Sequence, residues 1–328
     1  MSILLVLVAL VALVFVGGAV IAVYFVMRGD SSGDRERLVQ ASSVRLAEHA
    51  TDEGIQHLAK IHPAQPGRRE FLAAVLERGI AALGVVSQPE IPVVISGMAS
   101  STLGWQALPY ALLPAPIDGS TLRFVDFVQG GRRVRLVSGL QATNDVMRGE
   151  ETELIGLLAD PSRHHLLENS TVVLPGSHSK HVRLCAGKIV EFATFMTGEL
   201  YGLLCQNSTL VTPGDAIFDE AAFVAGVRAA RSLSMIAALF QTRARTVLGH
   251  LAAEHSRAFL SGVLIGAEVA TLTGAPTGKI VLAAGESFAR QYALALSELA
   301  PGAAVVQIPP ADLATAVVMG QATILSLP

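Results

Sequence analysis

The N-terminus constrains the fold of this chain more than any other stretch, because residues 3–26 contain no charged side chain. At ~1.5 Å per residue, a helix over this run would be about 36 Å long, enough to cross a hydrocarbon core of ~30 Å. No Lys or Arg precedes the run, so a cleaved signal peptide fits less well. The pattern predicts a membrane anchor over residues 1–27, and the arginines that follow favour a cytoplasmic position for the rest.

The same run has a second interpretation that does not involve a membrane. Residues 20–27 read VIAVYFVM and are rich in β-branched and aromatic side chains, which are typical of strands. Apolarity alone does not separate a buried strand from a buried helical segment. A buried first strand of the folded domain therefore remains the alternative.

Composition and charge narrow the function classes. The chain has 328 residues, of which 51% are apolar and 16% are charged, and its net charge is −3. A chain of this kind is not disordered, and it is long enough to bury two cores. The absence of a basic block argues against a nucleic-acid partner. With only Cys185 and Cys205, a disulfide framework is not expected, which indicates a reducing, cytoplasmic compartment.

A strand–loop–strand pattern occurs in both halves of the chain. In the second half, strands are predicted over residues 171–175, 181–185 and 189–197. In the first half, residues 35–39 and 44–50 match the second and third of these strands. Two related α/β halves indicate a bilobed fold that binds its ligand between the lobes. We place the lobes at residues 28–140 and 141–328.

Three further stretches mark candidate functional loops. A buried strand over residues 91–97 leads into the loop at 97–105, and α/β sheets usually place ligands at such ends. Asp145 takes a capping position before a helical, acid-rich stretch. Near the C-terminus, Gly285 separates a strand from a helix.

Five stretches carry a family resemblance, and they occur in order as GMASSTLGWQALPY, DVMRGEETELIG, LPGSHSKHVRL, TFMTGELYGLL and FLSGVLIGAEVA. They resemble the signature stretches of 2-dehydro-3-deoxygalactonokinases, and the resemblance runs from about Arg35 to the C-terminus. This family belongs to the sugar kinase, heat-shock and actin-like ATPase superfamily. The resemblance implies a two-lobed actin-like (ribonuclease H-like) α/β fold. It also implies phosphorylation of the 6-hydroxyl of 2-dehydro-3-deoxy-D-galactonate with ATP and Mg²⁺, a step of galactonate catabolism.

One departure from the family pattern concerns the first phosphate loop. The family has an Asp-Trp-Gly-Thr-like loop there, whose Asp helps to hold magnesium. The stretch that we align with it here reads RGDSSGD, so Asp30 becomes the candidate for magnesium, and the serines that follow offer backbone N–H groups. The departure keeps a second function open, that of a membrane-tethered, catalytically weak pseudokinase that binds a sugar acid or a nucleotide.

The polar loop of the second half has three interpretations. As a phosphate loop it would use Gly176 for close approach, Ser177 and Ser179 as donors and Lys180 as a cation. It could also be an ordinary polar turn. A metal site of His178, His181 and Cys185 is the weakest reading, because the last two lie too far apart along a strand to share a tetrahedral ion. The resemblance favours the phosphate loop and implies nucleotide contacts from the cofactor residues Gly176, Ser177, His178, Ser179, Lys180 and Gly285.

The acid-rich stretch supplies the candidates for chemistry on the sugar. Proton acceptance from a hydroxyl requires a carboxylate, for which we favour Glu150, with Asp145 or Glu151 as substitutes. Arg148 suits the substrate carboxylate because a guanidinium binds it through two hydrogen bonds. The alternative is an acidic first helical turn that complements the helix dipole. Substrate contacts are also predicted for the loop side chains of Ser100, Ser101 and Trp105, although packing explains the tryptophan equally well.

Overall fold

The structure is a computed structural model that describes residues 5–16, 19–30, 42–51, 65–212, 214, 217–273 and 278–328, with side chains from residue 67 onward except at 287 and 314. Its strands are β1 (Leu5–Val16), β2 (Ala19–Asp30), β3 (Ser42–Thr51), β4 (Val93–Gly97), β5 (Ala111–Leu112), β6 (Ala115–Pro116), β7 (Phe124–Gln129), β8 (Arg132–Val137), β9 (Leu140–Gln141), β10 (Val146–Met147), β11 (Asn169–Leu174), β12 (Ser179–Cys185), β13 (Lys188–Phe195), β14 (Lys279–Leu282) and β15 (Val305–Gln307). Its α-helices are α1 (Gln65–Ala82), α2 (Glu150–Leu158), α3 (Thr197–Asn207), α4 (Glu220–Ser232), α5 (Met235–Val247), α6 (Ser256–Val269), α7 (Glu286–Leu299) and α8 (Pro310–Leu325).

The chain divides into two compact units. Unit 1 comprises Met1–Glu168, Leu184–Glu191 and Ala311–Pro328, and unit 2 comprises Asn169–Arg183 and Phe192–Pro310. The boundary that we predicted between residues 140 and 141 lies inside unit 1, because β9, β10 and α2 continue that unit. The return of α8 to unit 1 is a long-range contact that local sequence patterns do not reveal.

The apolar N-terminal run forms strands in place of the predicted membrane helix. β1 and β2 pair in antiparallel fashion from Val16 opposite Ala19 to Leu5 opposite Asp30. Among the described residues, no helix is both long and apolar enough to cross a membrane. An uninterrupted apolar sequence suits a strand that is buried on both faces as well as a lipid-facing helix, and its β-branched residues favour the strand. β2 includes the segment that the alternative interpretation assigned to a strand, although it is not the first strand.

Unit 1 contains a six-stranded sheet with the order β3-β2-β1-β4-β8-β7. β4 runs parallel to both β1 and β8, and Phe15 lies opposite Gly97 at the carboxyl ends of β1 and β4. The strand predicted over residues 44–50 agrees with β3, whereas the segment 35–39 lies outside the described residues. The register places Asp30 at the other end of the β1–β2 pair from this Gly97 edge.

Helix α1 packs on this sheet through one apolar face. Leu72, Val75, Leu76 and Ile80 recur at helical spacing and are all buried. They share a core cluster with the inward-facing strand residues Val93, Ile95, Val134 and Leu136, and with Trp105 from the loop after β4. The core of unit 1 therefore anchors that loop directly.

The C-terminal helix α8 contacts α2 at a crossing that only glycine permits. A Cβ on Gly156 or on Gly320 would lie 1.8 Å from a backbone carbonyl oxygen of the opposing helix. Gln321 then reaches the end of β4, where its Nε2 donates to the hydroxyl of Ser96 at 2.8 Å. α8 thus fixes α2, which carries the candidate acids, beside the strand that leads into the candidate substrate loop.

Unit 2 repeats the strand order of unit 1. In its sheet β13, β12, β11 and β14 are neighbours in that order, with β15 beyond β14, and β11 pairs parallel with β14 as β1 does with β4. The three strands predicted for this half agree with β11, β12 and β13. The far end of the β12–β13 pair belongs to unit 1, where Ile189 lies opposite Ala115 of β6.

The helices of unit 2 form a tightly packed layer. α4 and α6 approach each other at Gly226 and Gly262, where an added Cβ would lie 2.2 Å and 2.0 Å from carbonyl oxygens of the other helix. The fully buried side chains of Phe223, Phe259 and Tyr292 fill the surrounding core. This close packing holds α6 and α7 in fixed positions relative to each other.

The start of α2 differs from the sequence prediction. α2 begins at Glu150 with Gly149 as its N-cap, so Asp145 does not cap it. Asp145 instead accepts the N–H of Val146 in the turn between β9 and β10. A left-handed glycine at the cap position is a backbone solution that residue-type preferences for Ser, Thr, Asp and Asn do not identify.

Candidate active site

The loop after β4 begins with a sharp turn at Gly97, whose φ of 84° lies in the region that favours glycine. Ser100 and Ser101 follow and are buried. The hydroxyl of Ser101 accepts the N–H of Leu103 at 3.2 Å, so it stabilises the loop itself. Trp105 is only 3% exposed, and its indole N–H has no hydrogen-bond partner among the described residues.

Arg148 lies against this loop. Its Nη1 donates to the carbonyl oxygen of Ser100 at 2.6 Å and to the Ser100 hydroxyl at 2.5 Å. Its guanidinium carbon lies 4.1 Å from the centroid of the Tyr110 ring, a cation–π contact. Its Nε is buried and has no hydrogen-bond partner within the described part of the chain. The guanidinium is thus held on two sides, and one of its donors has no partner among the described residues.

The start of α2 is pressed against the same turn. Gly149 has a φ of 114°, and an added Cβ would lie 3.3 Å from the Cα of Gly97. The first two helical side chains fold back onto the backbone: Glu150 accepts the N–H of Arg148 at 3.0 Å, and Glu151 accepts the N–H of Gly149 at 2.8 Å. The two glycines therefore bring the loop after β4 and the acidic helix start together.

The two acids differ in environment. Glu150 is partly exposed, whereas Glu151 is 1% exposed. Burial, followed by the negative charge of Glu150, raises the pKa of Glu151 to about 8, although the Gly149 N–H and the Thr152 hydroxyl oppose this shift. Burial also raises the pKa of Glu153 to about 7. Glu150 is therefore the more accessible acid of the two, while Glu151 is a buried acid whose raised pKa favours the protonated form near neutral pH.

In unit 2, the tip between β11 and β12 divides into exposed and buried halves. Ser177 and His178 are exposed and Gly176 is partly exposed, whereas Ser179 and Lys180 are buried. The N–H of Gly176 donates to the Ser179 hydroxyl at 3.3 Å, and Lys180 Nζ donates to the carbonyl oxygen of His178 at 3.2 Å. The predicted donors thus do not all face outward, and part of the set holds the tip in shape.

The first turn of α3 braces this tip. A Cβ on Gly198 would lie 2.5 Å from the carbonyl oxygen of Gly176, so the two segments touch through backbone atoms. The N–H of Glu199 donates to the carbonyl oxygen of Ser177 at 3.0 Å, and the Glu199 carboxylate pairs with His178 Nε2 at 2.5 Å. Both ends of the exposed tip are therefore attached to α3.

A buried polar network lies beneath the tip. Glu268 of α6 accepts hydrogen bonds from the Tyr292 hydroxyl at 2.8 Å and from the Thr197 hydroxyl, and it contacts His181 Nε2 at 3.0 Å. The Tyr292 hydroxyl also lies 3.0 Å from the Ser179 hydroxyl. Met196 is the N-cap of α3, so the Thr197 hydroxyl does not cap the helix and points to Glu268.

The remaining candidates occupy separate places. Gly285 is the exposed N-cap of α7, directly after the turn that follows β14, as predicted. Asp30 ends β2, its side chain is outside the described residues, and the register keeps it away from the Gly97 edge. No group of three His, Cys, Asp or Glu side chains in the described part of the chain could hold a metal ion. His178 and His181 each pair with a glutamate.

Comparison with known proteins decides the family. Residues 30–321 match the 2-keto-3-deoxy-galactonokinase family. The chain belongs to this family of carbohydrate kinases. The match covers the loop after β4 together with Arg148 and the start of α2, which we call the Gly97–Glu151 cluster. It also covers the tip at 176–180, and the predicted resemblance is confirmed.

Individual relatives agree with the assignment to the galactonokinase family. The 2-dehydro-3-deoxygalactonokinase of Escherichia coli K12 is 38% identical over 217 residues, which are 62% of this chain and 70% of that protein. A Rhizobium meliloti relative that carries a provisional assignment of the same kind is 38% identical over 200 residues, 57% of this chain and 64% of its own length. A crystal structure from Sinorhizobium meliloti, also provisionally assigned as a 2-dehydro-3-deoxygalactonokinase, superposes with a TM-score of 0.73 at 28% identity and covers 96% of this chain and 99% of its own.

Three residues of these clusters escaped the sequence analysis. Tyr110, which stacks on Arg148, ends the first of the family-like stretches but carries no local signal for stacking. Glu268 and Tyr292 lie on separate helices, and an acid in an apolar helix was the one available sign, because buried acids require partners.

Proposed function

We propose that this chain transfers the γ-phosphoryl group of ATP to the 6-hydroxyl of 2-dehydro-3-deoxy-D-galactonate, and that it does so in an actin-like fold. The observation that carries the proposal is the juxtaposition of Arg148 and Glu150 beside the Gly97 turn. A cation with a buried, unpartnered donor and an accessible carboxylate suit a substrate that has a carboxylate at one end and a hydroxyl at the other.

Arg148 would bind the substrate carboxylate. Its contacts with Ser100 and Tyr110 hold the guanidinium plane, which lowers the entropy cost of binding. The buried indole N–H of Trp105 also lacks a partner in the described chain, so it is a second candidate donor on the same loop. Ser101 would act through the loop backbone, because its hydroxyl is used within the loop.

Glu150 would accept the proton of the attacking hydroxyl. It is the more exposed of the two acids at the helix start, whereas Glu151 is enclosed and bonded to Gly149 and Thr152. A protonated, buried Glu151 cannot take a second proton, so its role here is to fix the Gly149 turn. Asp145 is engaged with the N–H of Val146 and remains a weaker candidate.

The tip at Gly176, Ser177 and His178 would bind nucleotide phosphates, with Ser179 and Lys180 holding it from below. No side chain opposes a ligand at Gly176, since an added Cβ there meets no atom closer than 4.0 Å. Gly285, exposed at the start of α7, would contact the base through its backbone. Bound Mg²⁺ supplies charge neutralisation on the phosphates, and because it needs only one or two protein carboxylates, the lack of a three-residue cluster in the described chain does not oppose it.

The compartment follows from thiol chemistry. Cys185 and Cys205 are both free, and Cys185 is exposed. Free exposed thiols favour a reducing compartment, so we place the enzyme in the cytoplasm.

The test is a kinase assay on the full-length protein. ATP and 2-dehydro-3-deoxy-D-galactonate should yield ADP and a monophosphate whose ³¹P coupling is to the C6 protons. The 4-epimer and the analogue lacking the carboxylate serve as controls for stereochemistry and for the role of Arg148. ADP release that is independent of the sugar acid would overturn the proposal, and tight sugar-acid binding without turnover would indicate the pseudokinase alternative.

A further inference from the structure

The tip at residues 176–178 is supported from two directions by one buried carboxylate, Glu268. The first route runs from Glu268 to the Tyr292 hydroxyl, on to the Ser179 hydroxyl and then to the N–H of Gly176. Each of these hydrogen bonds is within 3.3 Å, so the route is continuous from α6 to the tip. It makes the position of the Gly176 peptide depend on a residue far away in the sequence.

The second route reaches the other side of the tip. The Thr197 hydroxyl donates to the same oxygen of Glu268 that Tyr292 uses. Thr197 begins α3, and the two residues that follow it contact the tip: Gly198 packs on the Gly176 carbonyl, and the Glu199 N–H donates to Ser177. Glu268 therefore fixes both the tip and the helix turn that braces it.

The network encloses a carboxyl group away from water. The Glu268 side chain is 1% exposed and His181 Nε2 contacts its second oxygen. Burial and the neighbouring Glu268 carboxylate raise the pKa of Tyr292 far above its ordinary value, so the hydroxyl keeps its proton and donates. Hydrogen bonds to a buried charge are about twice as strong as neutral ones, and an incomplete network of this kind is costly. A buried hydrogen-bond network directly beneath an exposed tip suggests that it holds the tip in position.

We infer that Glu268 is a positioning residue for nucleotide binding, acting through Tyr292–Ser179 and through Thr197 to hold the tip at 176–178 in the geometry that receives phosphate oxygens. The inference rests on the proposed function of the tip. Glu268 does not itself touch the nucleotide. Its effect should therefore appear in the affinity for MgATP and not in the affinity for the sugar acid.

The first experiment removes one link of each route. Tyr292→Phe and Thr197→Val keep the side-chain shape and delete one hydroxyl each, and we expect the KM for MgATP to rise about tenfold in each, with the KM for the sugar acid changed less than twofold. Tyr201→Phe is the matched control, since Tyr201 is a partly buried tyrosine of unit 2 that pairs with Cys205. It should leave both KM values unchanged. Equal rises in the two KM values would reduce the network to general stability and overturn the inference.

A double-mutant cycle tests the route itself. If Ser179 acts in series with Tyr292, then Ser179→Ala combined with Tyr292→Phe should raise the KM for MgATP no further than the larger single effect. Multiplying effects would overturn the serial route. Glu268→Gln retains an acceptor and should lie between the wild type and Glu268→Ala; if Glu268→Ala does not fold, the hydroxyl variants still decide.

Calorimetry separates this inference from the proposed function. A non-hydrolysable ATP analogue with Mg²⁺ should bind the wild-type protein about tenfold more tightly than Tyr292→Phe, whether or not the sugar acid is turned over. Absence of turnover with this affinity difference intact would overturn the kinase proposal alone. Equal affinity, or no binding to the wild type, would overturn the role of Glu268.

Discussion

Two polar clusters, one in each unit, differ in how completely their buried groups are hydrogen-bonded. In the Gly97–Glu151 cluster of unit 1, hydrogen bonding is incomplete, because the Arg148 Nε and the Trp105 indole N–H are buried without a partner among the described residues. In the network beneath the tip of unit 2, Glu268 contacts three polar side chains from three elements. The first cluster has capacity left for a ligand, whereas the second is satisfied internally.

Buried polar groups can therefore serve ligand binding or rigidity. Unpartnered buried groups destabilise the ligand-free protein, and this penalty is relieved when a ligand supplies the hydrogen-bond partner. A complete network gains rigidity, and it can hold an exposed loop without contacting the ligand. We therefore expect variants of the unit 1 cluster to change chemistry and sugar-acid binding, and variants of the unit 2 network to change nucleotide binding.

The largest effect should come from Glu150→Gln. Removal of the proton acceptor should lower kcat by at least about 10²-fold with little change in either KM, because general-base catalysis contributes about 10²–10⁴-fold. Steady-state kinetics with saturating MgATP measure it. Glu90→Gln, at an exposed acid of the same unit, is the control and should keep kcat within about twofold. If Glu151→Gln lost activity and Glu150→Gln kept it, the two acids would exchange roles.

The next effect is the pH dependence of stability that Glu151 causes. Its pKa in the folded protein, about 8, lies above its ordinary value of 4.5, so the folded state holds a proton that the unfolded chain has released. The stability that this group contributes is therefore complete below about pH 4.5 and is lost as the pH rises towards 8. The glutamine in Glu151→Gln does not titrate. The stability of this variant relative to wild type, measured as the difference in free energy of unfolding, should therefore increase by a few kcal/mol between pH 5 and pH 8.

Urea unfolding at several pH values measures this difference. The exposed Glu90→Gln variant is the control, and its free energy of unfolding should run parallel to that of wild type. Parallel curves for Glu151→Gln as well would mean that Glu151 is ionised in the folded protein. The assignment of Glu151 as a buried, protonated acid would then be wrong.

Arg148→Lys should have a smaller effect that is specific for the sugar acid. A lysine keeps the charge but cannot present two parallel donors or stack on Tyr110 in the same way. We expect the KM for the sugar acid to rise about tenfold, with the KM for MgATP unchanged. Arg133→Lys is the matched control, since Arg133 is an exposed arginine of unit 1 paired with Asp126. A rise in the KM for MgATP alone would assign Arg148 to the nucleotide.

How much of the structure the sequence predicts depends on whether a feature is set by residues near in sequence or by contacts between distant ones. Strand periodicity is local, and it correctly predicted β11, β12 and β13 around the tip. The order of the candidate loops along the chain was also sufficient to recognise the family. The prediction of a membrane helix for the N-terminal run was wrong because apolar runs occur in both buried strands and membrane helices. Which of the two forms depends on partner strands elsewhere in the chain.

The candidate site shows the same limit. Arg148, Glu150 and Ser100 were predicted from residue type, and the structure brings them together through the approach of Gly149 to Gly97. Nothing local indicated that Glu151 is enclosed or that Lys180 is 3% exposed, because burial depends on which elements pack above a residue. Glu268 was invisible for the same reason: its partners lie on β12, α3 and α7.

The smallest effect should come from His178→Gln at the exposed tip. The His178 and Glu199 side chains are 47% and 38% exposed, and exposed pairs contribute at most about 1 kcal/mol, so the free energy of unfolding should change by less than about 1 kcal/mol. The KM for MgATP should nevertheless rise about two- to fivefold if the tip receives phosphates, because one hydrogen bond to an anion is lost or misplaced. His164→Gln, an exposed histidine of unit 1, should change neither quantity. An unchanged KM for MgATP in His178→Gln, together with a changed one in Tyr292→Phe, would show that the network positions the backbone of the tip and that the His178 side chain takes no part in binding.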